Sequence, residues 1–233
     1  MRKAETVTSV PPDAATTTTR SPVLGWRHVA VLVTGPLALA IAGVTHPAHL
    51  TSESADWWRD LHVVMLPLFP LLAINVWVLL RGVWAGVDGI VAVGARVLAF
   101  VYAAFYTALD VLAGIANGAL VEASTSSGFD VSEPKSIIFG QGGDLAEVGV
   151  YSLLASSALV GVVYVRRFGL RMLPGSLVLL ASSYSFIDSH VYPVRGVVTM
   201  LGFGVAAVLL AVPAVWASRT KQASPAADRG VGC

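Results

Sequence analysis

Apolar positions in this chain fall into long unbroken blocks rather than the short alternations of a soluble domain. Six blocks can be drawn, from about Trp26 to His46, Trp58 to Leu80, Val97 to Gly118, Asp144 to Val165, Met172 to His190 and Gly196 to Ala217. Each reaches about 19 to 23 residues, enough for one helical crossing of a hydrocarbon core of about 30 Å. Backbone amides inside lipid must pair within their own segment, so each block is expected to be a helix. Pro36 is expected to kink the first block, and the second holds Pro67, Pro70 and Asn75. The segment Gly82 to Ala95 is shorter and is interrupted by Asp88, so it reads as an interfacial stretch. The pattern predicts an all-α integral membrane protein. Its six-transmembrane-helix bundle spans residues 26–217, between a disordered tail at 1–25 and a second tail at 218–233.

Composition agrees with that pattern. The chain is 55% hydrophobic and only 12% charged, against about 25% charged in soluble domains. A net charge of +1 offers nothing for nucleic acid to bind. The first residues after Met1 are polar and lack the apolar core of a secretory signal. The one cysteine, Cys233, leaves no intrachain disulfide and no Cys-ligated metal site.

Charge then orients the bundle. With six crossings, one side collects Arg2, Lys3, Arg20, Arg27, Arg81, Arg96, Arg166, Arg167, Arg171, Arg219, Lys221 and Arg229. The other side holds only Arg59, Lys135 and Arg195. The positive-inside rule places both termini in the cytoplasm. The bias toward arginine over lysine, and toward alanine and valine, suggests a GC-rich bacterial gene, hence the bacterial cytoplasmic (inner) membrane. The loop from Glu122 to Gly143, about 22 residues of Ser, Gly and acid, is long enough to be either functional or disordered.

Ionisable residues gather at the outer boundary. His46 and His49 follow the first span, His62 lies in the second and His190 ends the fifth. Asp110, Glu147 and Asp188 lie at the outer ends of spans three, four and five. Asp110 is the most telling of these. It sits roughly 21 Å along a helix from Arg96, and a carboxylate within a span costs about 2.5–3.5 kcal/mol on insertion scales. The pairs Tyr106 and Asp110, Glu147 and Tyr151, and Tyr184 and Asp188 are each four residues apart and so share a helix face. In each pair the tyrosine lies one turn deeper, where its hydroxyl can donate to the carboxylate.

Plainer readings accompany several of these residues. Asp144 and Glu147 have the spacing of a capping box, Asp188 that of a solvated helix end, and Tyr151 and Tyr184 that of interfacial anchors. Gly114-Ile-Ala-Asn-Gly118 is a GxxxG match, common in apolar helices.

Four chemistries fit the layer. A metal such as Zn or Fe would take His62, His190, His46 and Asp110 as ligands. With water in an open position, Asp110 and Glu147 become the catalytic candidates for hydrolytic or redox work, and Tyr106, Tyr151, Tyr184 and Asp188 the binding ones. A b-type haem between His62 and His190 is the second. Proton-coupled transport of a small solute through Asp110 is the third. A non-catalytic membrane subunit with a buried hydrogen-bond network is the fourth. The expected partners are the lipid bilayer and a metal ion or small molecule at the outer leaflet. No HExxH, P-loop or GxSxG motif narrows the choice.

Overall fold

The computed structural model describes residues 24–222, and these are helical with no strand. Six helical stretches are long and apolar enough to cross a membrane. The first is α1, Trp26–Val44. It stops short of His46 because a residue before proline is driven from helical geometry, and Pro47 follows. The second apolar stretch is split by its prolines into α2, Ala55–Met65, and α3, Phe69–Leu79. Neither Pro67 nor Pro70 has an N–H for the helix ladder.

The third helical stretch is longer than the sequence suggests. Helix α4, Gly86–Leu109, runs into a π-helical segment, Asp110–Ala116, and then α5, Asn117–Ser127. The stretch read as interfacial is therefore mostly the first turns of α4. Asp88 is neutralised there by Arg166 and Arg167, whose Nε atoms donate to it at 2.9 and 3.0 Å. Arg96, expected at the start of the span, is buried within α4. Its guanidinium donates to the carbonyls of Leu80 and Val83 and lies 3.7 Å from the Trp84 ring centroid.

The expected loop from Glu122 to Gly143 is also helical. Gly128, at φ 73°, ends α5 in the left-handed conformation. Four residues on, α6 begins and runs Ser132–Phe168. Asp130 starts it by accepting from the Ser132 N–H and hydroxyl at 2.9 and 2.7 Å. Asp144 and Glu147 thus lie inside α6, where backbone amides are already paired, and they cap nothing. At about 1.5 Å per residue α6 is roughly 55 Å long, well beyond a hydrocarbon core. Its first turns and α5 form a hairpin over one end of the bundle, packed through Leu50, Trp58, Val121 and Phe139.

A 3-10 turn, Leu170–Met172, leads into α7, Leu173–Ser189, and the chain closes with α8, Arg195–Gln222. The first five residues of the expected second tail are therefore helical, and the rest lie outside the described residues. So does the expected tail at 1–25, apart from Leu24, which is buried, and Gly25. Helix α4 packs along α6, and α8 packs between α1 and α7. Phe69, Tyr102, Tyr106 and Phe186 form a buried aromatic layer across the bundle, with Phe69 and Phe186 4.8 and 4.9 Å from Tyr106 between ring centroids. All three histidines discussed next lie on one side of that layer.

Candidate metal site

His46, His62 and His190 come from three distant parts of the chain and meet at one end of the bundle. One ring nitrogen of each lies within 4.8 Å of the other two. Their ring centroids are 5.1, 5.6 and 6.0 Å apart. His46 follows α1, His62 sits on α2, and His190 ends α7.

The hydrogen bonds decide which nitrogen each ring offers. His46 Nδ1 donates to the Pro47 carbonyl at 2.7 Å, and His62 Nδ1 donates to the Trp58 carbonyl at 2.6 Å. A carbonyl can only accept, so both Nδ1 atoms carry the proton and both Nε2 atoms keep a lone pair. His190 Nδ1 lies 2.5 Å from the buried Tyr106 hydroxyl, which leaves its Nε2 as the ligand when Nδ1 donates. Burial lowers the pKa of His46, and it lowers that of His190 well below the usual imidazole range, with His46 and His62 adding to the effect. Both rings are then neutral near pH 7, the form that binds metals. Carbonyl or hydroxyl partners on the far nitrogen are the arrangement that orients metal-ligating histidines.

Asp110 completes the group. It heads the π-helical segment, an irregularity common at functional sites. Its Oδ1 is 3.9 Å from His62 Nε2. Both carboxylate oxygens are buried and have no hydrogen-bond partner among the described residues, and the same holds for His46 Nε2. An unpartnered buried carboxylate is expensive, and a cation at the three imidazoles would offset that cost.

Local structure sets these positions. Gly114 lies where α2 crosses the π segment, and a Cβ there would overlap the His62 ring. Trp58 fixes the same crossing, its Nε1 donating to the Ala113 carbonyl at 3.1 Å while its ring stacks on His62. His190 is held at φ 42°, a strained conformation for a residue with a Cβ. Thr199 pins the end of α7 through Ser185 at 2.7 Å and Ser189 at 3.2 Å. Gly43 makes room for the Val191 carbonyl.

Beside the histidines lies a cavity of about 250 Å³, bordered by Asp110, His62 and His190. Its walls are largely apolar and include Leu109, Phe139, Val150 and Phe186. Gly143 and Asp188 border it and are solvent-exposed, so they mark its mouth.

The structure brings together five of the residues singled out in the sequence: His46, His62, His190, Asp110 and Tyr106. It leaves others outside. Glu147, Tyr151 and Tyr184 are exposed on the outer faces of α6 and α7. Asp188 stands at the cavity mouth, paired with Arg195 at 2.6 Å. The expected tyrosine-to-carboxylate bonds are not made, because Tyr106 turns to His190 instead of Asp110. Trp58, Gly114 and Tyr192, whose ring lies 4.9 Å from that of His46, are additions from the structure. The GxxxG match was the sequence signal for Gly114.

The chain matches no family model, no curated protein and no solved structure. The donor set must carry the functional reading by itself. Crowding at Gly114 supplies a first check: Gly114→Ala should destabilise the protein by about 1–3 kcal/mol through overpacking against His62. Gly143→Ala, where a Cβ meets nothing within 4 Å, should change stability by less than about 0.5 kcal/mol. Thermal denaturation of both variants in one detergent makes the comparison, and equal stabilities would refute the crossing described here.

Proposed function

We propose that this is a multi-pass protein of the bacterial cytoplasmic membrane that binds one divalent transition-metal ion, zinc or iron, near the outer leaflet. His46, His62 and His190 are the ligands, and Asp110 supplies the compensating charge. The reading is carried by one observation: three imidazoles converge with their Nδ1 atoms engaged and a buried, unpartnered carboxylate beside them. Imidazole ligands with a carboxylate suit zinc and iron. The excess of basic residues at the opposite end supports cytoplasmic termini.

Three protein ligands leave a coordination position open, the pattern of catalytic rather than structural zinc. The adjoining cavity gives a small molecule access to it. That cavity is below the roughly 300–1,000 Å³ of sites for drug-sized ligands, which favours a single ion over haem.

Metal content tests the proposal. The full chain, purified in mild detergent and equilibrated with zinc, should retain about one ion per chain. Zinc at roughly 1,000 times its dissociation constant should stabilise the fold by about 4 kcal/mol. A variant with His46, His62 and His190 all replaced by alanine should retain none. Equal zinc in the two proteins would refute the site.

A further inference from the structure

We infer that the metal site acts on an acyl bond, and that the substrate is a membrane amphiphile whose carbonyl reaches the ion through the cavity between α6 and α7. This inference rests on the metal reading above and adds the reaction and the substrate class. Three features carry it. Asp110 is 1% exposed, borders the cavity, and has two oxygens free to handle a proton. The cavity walls are apolar, and their volume suits a reacting group and a few carbons rather than a whole lipid. Its mouth has Gly143 on one helix and the Asp188–Arg195 ion pair near the other, an apolar slot beside a polar rim.

The chemistry balances without an oxidant or reductant. Water in the open position gives one proton to Asp110, and the remaining hydroxide bonds to the acyl carbon. The bond from that carbon to the alcohol oxygen or amine nitrogen breaks, and the leaving atom takes the proton back from Asp110. The products are a carboxylic acid and an alcohol or amine. His46, His62 and His190 hold the ion, and Tyr106, which also borders the cavity, positions His190.

Gly143 is the residue to change. It lies apart from the metal ligands, and a side chain there grows into open space. Gly143→Leu should therefore fold and load zinc normally while obstructing the mouth. The probes are p-nitrophenyl octanoate for turnover and octanohydroxamic acid for binding, both with the full zinc-loaded chain in mild detergent. The wild type is expected to release p-nitrophenolate at least tenfold faster than its zinc-free form. Gly143→Leu should lose at least tenfold of that rate at unchanged zinc content. Octanohydroxamic acid should raise the melting temperature of the loaded wild type more than that of loaded Gly143→Leu. Zinc at one per chain with no turnover above the zinc-free protein would overturn this inference and leave the metal site standing. So would turnover and hydroxamate binding unaffected by Gly143→Leu. A chain that holds no zinc would remove both.

Discussion

Replacing His62 with alanine is expected to weaken zinc binding by more than about 100-fold while the bundle stays folded. Loss of a group that merely orients a ligand costs 10–100-fold, and His62 is expected to be a ligand. His46→Ala and His190→Ala should behave alike, because each ring contributes one of the converging nitrogens. The folded state should survive, since most of the core lies on the far side of the aromatic layer. His49→Ala and Glu147→Gln are the controls. Both residues are exposed and stand outside the cluster, so zinc affinity should hold within about twofold. Isothermal titration of detergent-solubilised protein reads all five. Equal losses in the controls, or none in the three histidine variants, would contradict the ligand assignment.

Asp110→Asn is expected to move two quantities in opposite directions. Without metal, the wild type buries a carboxyl group whose oxygens have no partner among the described residues. Asparagine is uncharged and nearly the same shape, so the metal-free variant should be more stable, by about 1 kcal/mol or more. With zinc present, the lost negative charge should reduce affinity about 10–100-fold, the range for groups that tune a metal from beside its ligands. Each tenfold removes about 1.4 kcal/mol of zinc-dependent stabilisation. Melting temperatures of both proteins with and without zinc give the crossing pattern. A variant destabilised in both conditions would show instead that Asp110 belongs to a structural hydrogen-bond network.

The six long apolar helices were legible in the sequence because a simple length and polarity rule marks each. What blurred was where helices continue past their apolar stretches. Residues 122–143 are polar and rich in Ser and Gly, so nothing in their hydropathy separates a loop from a solvent-exposed hairpin. Packing of Val121 and Phe139 against Trp58 and Leu50 stabilises the hairpin, and such contacts are tertiary. Asp88 misled for a related reason, since its neutralising partners, Arg166 and Arg167, lie about 80 positions away.

Within the candidate site, depth was readable and direction was not. Asp110, His62 and His190 share a level that residue counting along helices places well. The i, i+4 spacing of Tyr151 and Tyr184 with carboxylates matched that of Tyr106, yet only Tyr106 faces inward. Which face of a helix meets lipid depends on neighbouring helices, and a span apolar all round carries little periodicity to reveal it. His46 reads as a loop residue in sequence, but the chain reversal after Pro47 buries it between Trp58 and Tyr192.

X-ray absorption at the zinc edge of the loaded full-length protein addresses the central claim most directly. The expected first shell contains three imidazole nitrogens at about 2.0–2.1 Å, with the remaining ligation from oxygen. The outer-shell scattering of imidazole rings should fall by one ring in His62→Ala wherever that variant still takes up zinc at high concentration. A shell of oxygen alone, or one that keeps three imidazoles in His62→Ala, would contradict a metal site built from His46, His62 and His190.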